Sequence, residues 1–120
     1  MSVTGSCHCG AVKFEMREPT DFAINCNCSL CRRLGSIWIY SKIGNVTITG
    51  DEGATIRYTH GDETLAVHSC KKCGCTTHWE GLNPEEDDRM AVNIRMSDPD
   101  VMENYHIRRF DGADTWKFLD

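Results

Sequence analysis

No stretch of this chain reads as a membrane-spanning helix. Crossing a bilayer takes about 18 or more consecutive apolar residues, and no run in the sequence approaches that. The first residues, Met1-Ser2-Val3-Thr4-Gly5-Ser6, carry neither a charged stretch nor an apolar one, so they do not read as a secretory signal. The expected location is cytoplasmic, with no membrane partner. Basic runs are equally scarce: none is longer than Arg32-Arg33, Lys71-Lys72 or Arg108-Arg109. Lys and Arg total 13 against 18 for Asp and Glu, a formal charge of -5. Such a surface disfavours phosphate backbones and argues against nucleic acid as a partner. Leu, Ile, Val and Phe are also sparse for 120 residues. The core is therefore moderate, and cross-links of some kind would help to hold it. No linker and no internal repeat interrupts the chain, so residues 1–120 read as a single domain.

Cysteine is the residue present in excess, with eight in the chain. Seven fall in three clusters: Cys7-His8-Cys9, Cys26-Asn27-Cys28-Ser29-Leu30-Cys31, and Cys70-Lys71-Lys72-Cys73, with Cys75 directly after. Thiols one or two residues apart, in a chain that reads as cytosolic, are metal ligands before they are disulfides. Sulfur-only ligation points to Zn²⁺. Cys70-x-x-Cys73-Gly74 and Cys7-x-Cys9-Gly10 are tight turns, each closed by a glycine that permits the backbone geometry after the second ligand. Neither pair suffices alone. Joined across about sixty residues, they make a closed four-sulfur site of structural type.

Cys26, Cys28 and Cys31 form a set of three with a corner to spare. Three protein ligands and one open position is the layout of catalytic zinc. The alternatives for this triplet are a second structural site completed by another ligand, or a regulatory disulfide. A helix start after Cys28 would lower thiolate pKa values through its amides and dipole. Cys75 reads as a small buried residue beside the first knuckle; as a fourth ligand to the triplet it would divide eight cysteines into two equal sites.

Most other segments alternate as strands do: residues 11–16, 22–26, 37–40, 46–49, 54–60, 65–69, 90–94 and 105–110. Helical signals are confined to residues 29–35, with Asn27 or Ser29 as cap, and to 97–104, where Ser97 or Asp98 precedes Pro99 at the first helical position. Residues 81–89, with Pro84 and four consecutive acids, read as a solvated loop. The expected fold is mainly β with short helical insertions.

The fragments Gly5-Ser6-Cys7-His8-Cys9-Gly10-Ala11-Val12-Lys13-Phe14-Glu15, Cys26-Asn27-Cys28-Ser29-Leu30-Cys31-Arg32-Arg33 and Cys70-Lys71-Lys72-Cys73-Gly74 resemble the glutathione-dependent formaldehyde-activating enzyme (GFA) family, which includes centromere protein V. The tail Arg109-Phe110-Asp111-Gly112-Ala113-Asp114-Thr115-Trp116 resembles that of its aldehyde-activating subgroup. Ser69 and Cys75 depart from the usual pattern. The resemblance implies a β-tent fold of several small antiparallel sheets held by zinc. It implies a structural zinc on Cys7, Cys9, Cys70 and Cys73, and a catalytic zinc on Cys26, Cys28 and Cys31. It also implies the activity of a carbon-sulfur lyase working in reverse, an S-(hydroxymethyl)glutathione synthase that joins glutathione to formaldehyde. The reading from another class is a non-catalytic zinc module for a protein or small molecule. If glutathione is the substrate, Arg32 and Arg33 suit its two carboxylates, though both also fit a solvated helix face. His78, beside Trp79, is a candidate substrate or second-layer contact, or a half-buried strand histidine. Trp38 and Tyr40 could line a pocket or fill the core. His8 is expected to point away from the first metal.

Overall fold

Alternation of side chains places almost every strand near its expected position in the computed structural model, which describes residues 2–120. In chain order the elements are β1 (Ser2–Ser6), β2 (Lys13–Arg17), β3 (Phe22–Cys26), α1 (Cys31–Leu34), β4 (Trp38–Lys42), β5 (Val46–Thr49), β6 (Thr55–Tyr58), β7 (Leu65–Cys70), β8 (Thr76–Gly81), β9 (Arg89–Asn93), α2 (Pro99–Glu103) and β10 (His106–Phe110). The fold is mainly β, as the pattern implies. Two strands carry no usable alternation. In β1 only Val3 is buried, and β8 is Thr-Thr-His-Trp-Glu-Gly, a mostly polar run buried at its first four positions. Both exist because neighbouring strands satisfy their backbone groups.

The strands form two sheets. A small antiparallel one runs β1-β2-β5, and a seven-stranded one runs β10-β3-β4-β9-β8-β7-β6. Every pair is antiparallel except β10 against β3, which is parallel and sets Phe110 opposite Cys26. That single parallel pairing carries the C-terminal tail to the second cysteine cluster.

Successive residues of a strand point to opposite faces, and β4 and β9 show what this does here. Ile37, Ile39, Val92 and Ile94 join Val3, Phe14 and Met16 in a core between the two sheets. Trp38 and Ala91 point the other way, into a second core with Val67 and Trp79 that also takes in Leu30 and Leu34 around α1. Burial on both faces explains why Ile37-Trp38-Ile39-Tyr40 is an unbroken apolar run. A third core is built around sulfur: Cys7, Val12 and Cys70, with Ala54 and Cys73 packed on it.

The helices are short. α1 has four residues, and its N-cap is Leu30 with no side-chain cap bond; neither Asn27 nor Ser29 takes that role. α2 begins at Pro99 with Asp98 at the N-cap position and no side-chain cap bond. Ser97 instead donates its hydroxyl to the Thr4 carbonyl at 2.7 Å, tying the α2 entrance to β1. Among the described residues no helix is long and apolar enough to cross a membrane.

Candidate metal centres and the cleft above the triplet

Seven thiols gather into two groups, with every Sγ of a group within 4.8 Å of the others: Cys7, Cys9, Cys70 and Cys73, and separately Cys26, Cys28 and Cys31. The first group joins the turn after β1 to the turn after β7. Gly10 and Gly74 hold φ of 83° and 77° there, a conformation that favours glycine. The Gly10 N–H donates to the Cys7 carbonyl at 3.1 Å, and the Gly74 N–H to the Cys70 carbonyl at 2.9 Å. Cys9 Sγ lies 3.6 Å from both Cys7 Sγ and Cys70 Sγ. Backbone N–H groups aim at these sulfurs, among them Val12 at Cys7 (3.3 Å) and Lys72 at Cys70 (3.4 Å).

Cys75 stays with this first site. It packs on the sulfur-centred core, is half-buried, and its carbonyl accepts from the Cys70 N–H at 2.9 Å. Neither thiol group includes it. The even division of eight cysteines into two sets of four is thereby overturned.

In the second group, Cys26 ends β3, Cys28 lies in the following turn and Cys31 opens α1. The Cys28 N–H reaches Cys26 Sγ at 3.5 Å, and the Cys31 N–H reaches Cys28 Sγ at 3.3 Å. The Trp38 indole N–H donates to Cys31 Sγ at 3.3 Å.

Thiol pKa values split within each group. The Cys31 thiol draws Cys26 down to about 5, helped by backbone N–H groups of Cys28 and Gly112. Cys31 itself is pushed far up by Cys26 and by burial, so the short α1 does not lower it as its position suggested. In the first group, the backbone N–H groups of Cys75 and Cys9 bring Cys73 down to about 5. Cys9 rises to about 11: the Ala11 N–H favours its thiolate, but desolvation and the adjacent thiols outweigh that. Thiolates this close cannot all be charged together unless a cation lies among them. All-sulfur donor sets with this repulsion fit a divalent metal ion in both places.

The groups differ in what they face. A cleft of about 1090 Å³ has all three cysteines of the triplet in its lining and none of the other four. Above Cys26 the tail closes in. Asn27 donates to Asp111 Oδ1 at 3.0 Å and accepts from the Ala113 N–H at 3.0 Å. Between them, a Cβ on Gly112 would fall 2.7 Å from Cys26 Sγ and 3.1 Å from Cys28 Cβ. Only a residue without a Cβ fits there. Gly112→Ala is therefore expected to push Cys26 out of register and weaken metal retention at the triplet by about tenfold or more. Chelator competition should show this on one ion of two, with the melting temperature almost unchanged. Equal retention of both ions would contradict it.

Of the polar candidates, Arg32 lines the cleft, whereas Arg33 lies outside it and donates to the Ser29 carbonyl at 2.8 Å. Trp38 and Tyr40 turn out to be core and lining residues at once. His78 is a correction in kind. One residue from Trp79 on β8, it points to the opposite face, stacks on His68 with centroids 4.5 Å apart, and lies 4% exposed. There His68 contacts Thr55 Oγ1 (2.7 Å) and Glu80 Oε1 (2.9 Å). Burial, with the charge of His68 second, lowers the His78 pKa to about 4.

This has a consequence for stability. The unfolded chain protonates His78 below about 6.5, and the folded chain resists until about 4. Stability attached to His78 is thus present above pH 6.5 and lost as pH falls through this window. Between pH 7 and 4.5 wild type should lose about 2 to 3 kcal/mol more than His78→Gln, read from urea unfolding of both. Thiolate protonation is common to the two proteins and cancels; parallel losses would refute the assignment.

Residues that the sequence pattern did not single out also shape the cleft. Trp79, Phe110, Trp116 and Phe118 line it, with Asp87 of the acidic loop and Arg89 at the start of β9. That loop is exposed, as expected, but it also forms part of the cleft lining. The only signal for the aromatic tail was its likeness to related tails.

A family model described as glutathione-dependent formaldehyde-activating enzyme matches residues 2–108. A Halomonas elongata protein named "Putative glutathione-dependent formaldehyde-activating enzyme" is 32% identical over 81 residues, which is 67% of this chain and 48% of that protein. The chain thus aligns with about half the length of that curated relative. A crystal structure of a Rhodobacter sphaeroides protein superposes with a TM-score of 0.71 at 26% identity, covering 88% of this chain and 99% of that one.

Proposed function

Because the chain belongs to the glutathione-dependent formaldehyde-activating enzyme family, we propose that its Cys26–Cys28–Cys31 centre joins a thiol, glutathione foremost, to formaldehyde or a related aldehyde. The observation that carries this reading is the different setting of the two thiol groups: three sulfurs lie in the wall of a large cleft, and the other four do not. A closed four-ligand site has no place for substrate, whereas a three-ligand site on a cleft has one.

Zinc suits both donor sets; Cys7, Cys9, Cys70 and Cys73 would hold the structural ion, and Cys26, Cys28 and Cys31 the one in the cleft. Bound there, zinc would keep a substrate sulfur in its thiolate form at neutral pH. The remaining tasks belong to the chain. Trp38 fixes Cys31 through its indole N–H, and Gly112 lets the tail settle on Cys26. Arg32, next to Cys31 on α1 and in the cleft wall, would meet a thiol's carboxylate. Tyr40 keeps its proton because burial, then the nearby thiols, raise its pKa; its hydroxyl can donate to an aldehyde oxygen. The apolar walls thin the water around the reactants.

In the reaction a carbon–sulfur bond forms, the carbonyl π bond opens, and the thiol proton ends on the former carbonyl oxygen. The product is a hemithioacetal and nothing is oxidised. Holding thiol and aldehyde side by side supplies much of the rate gain. The direct test is exchange NMR of glutathione with formaldehyde, protein present or absent. Faster exchange at catalytic concentrations of protein is the expected result, and an unchanged rate would remove the activity.

A further inference from the structure

Formaldehyde has a single carbon, so with the thiol at the triplet end the rest of the cleft wall is left for whatever else the aldehyde carries. The cleft volume of about 1090 Å³ is at or beyond the top of the range for small-molecule sites, about 300–1,000 Å³. Aromatic side chains line it in two groups. From β4 and β8 come Trp38, Tyr40 and Trp79, with the Tyr40 and Trp79 rings edge to face at 5.8 Å. From β10 and the tail come Phe110, Trp116 and Phe118, with Phe110 5.1 Å from each of the other two.

The tail holds Trp116 in an unfavourable conformation to keep it there. Its φ is 59°, which costs free energy for a bulky residue, and the residue is 70% exposed. The Trp116 N–H donates to the Asp111 carbonyl at 2.8 Å, and Asp111 also binds Asn27 beside the triplet. The strained tryptophan and the cysteines are thus parts of one arrangement.

Charge narrows the ligand further. Asp62, Glu86 and Asp87 line the cleft. Arg89 is occupied by Asp87, at 3.0 Å through Nε and 2.8 Å through Nη2. Arg32 has no acidic partner among the described residues, and it sits on α1 next to Cys31. Away from the triplet the lining is therefore aromatic with an acidic edge, which disfavours an anion there and suits an uncharged apolar group.

We infer that the aldehyde partner carries an uncharged aromatic or similarly bulky apolar substituent, seated among Trp79, Tyr40, Phe110 and Trp116. This rests on the thiol–aldehyde reading and names its substrate class. The atoms balance as before: sulfur bonds to the carbonyl carbon, the thiol proton passes to oxygen, and the substituent is unchanged.

The test compares formaldehyde, phenylacetaldehyde and 4-carboxyphenylacetaldehyde with glutathione by exchange NMR, each rate divided by its uncatalysed rate. The normalised kcat/KM of phenylacetaldehyde should exceed that of formaldehyde by about tenfold or more, and the carboxylated analogue should fall several-fold below phenylacetaldehyde. Trp116→Ser, at an exposed position that folding tolerates, should pull the phenylacetaldehyde-to-formaldehyde ratio toward one. A wild-type ratio at or below one overturns the inference. If no aldehyde exchanges faster with protein present, the catalytic reading fails by itself. The unreactive probe 2-phenylethanol then decides the cleft: saturable shifts of the Trp79 and Trp116 indole N–H signals support it, and unmoved signals overturn it.

Discussion

Cys70→Ser should abolish cooperative unfolding of the whole chain at room temperature. Cys70 is 1% exposed and ends β7, a strand inside the seven-stranded sheet. Its sulfur lies 3.6 Å from that of Cys9, which belongs to the turn joining β1 and β2 of the small sheet. The four-thiol site is thus a clasp between sheets, closed over a long loop. Binding energies of structural zinc in small domains are about 10–16 kcal/mol, against total stabilities of about 5–15 kcal/mol. A serine at one corner removes a soft ligand and leaves three crowded thiols with weakened compensation, so a loss of several kcal/mol is expected. The sparse apolar complement offers little reserve. Circular dichroism melting should show a broad, early transition for Cys70→Ser, and chelation of wild type should reproduce it. Cys75→Ser, one turn away but outside the thiol group, should melt within a few degrees of wild type. A Cys70→Ser protein that melts sharply, near the wild-type temperature, would contradict the clasp.

Cys28→Ser should do the opposite, leaving the fold and removing the chemistry. Cys28 is half-buried in the turn between β3 and α1, where truncating sulfur to oxygen creates no core cavity. The pairing of β3 with β10 and β4 does not depend on it. A serine hydroxyl stays protonated at neutral pH and is a poor ligand for a soft or borderline ion. The triplet should then lose its ion first under mild chelation, with the four-thiol ion retained. Accelerated thiol–aldehyde exchange should fall by about 10² or more, the scale on which removing one element of a catalytic site acts. The paired readout is metal content and exchange rate on one sample. Wild-type exchange in a protein that has lost the second ion would place the chemistry elsewhere.

The two sites differ in how they could be read from sequence. Ligand pairs in tight turns announce themselves, because Cys-x-x-Cys-Gly and Cys-x-Cys-Gly need a glycine at positive φ after the second sulfur, and Gly10 and Gly74 provide it. Most strands could be read for a similar local reason: burial on one face or both leaves a period of two. β8 could not. Its buried Thr76, Thr77 and His78 look like surface residues until hydrogen bonds such as Ser69 to Thr76 at 2.8 Å and Asn93 to the Thr76 carbonyl at 2.9 Å are seen. His78 was the costliest ambiguity, since its neighbour Trp79 does face the cleft. A single step along a strand reverses the face, and no composition signal reports which face holds the site.

The spacing of the cysteines implies, without coordinates, one centre of four sulfurs and one of three, with Cys75 open as a fourth member of the second until the structure leaves it out of both. Side-chain alternation in the other segments implies a mainly β chain around them. Only the tertiary structure decided which centre a substrate can reach. The parallel pairing of β10 with β3 brings Gly112 onto Cys26, and the alternation of β4 and β8 turns Trp38 and Trp79 to the cleft while Ile39 and His78 go inward. Metal ligation depends on neighbours within a turn, so it is written locally. A cleft wall joins residues eighty or more positions apart, as Cys26 and Gly112 are, and their meeting is set by the packing of the whole sheet.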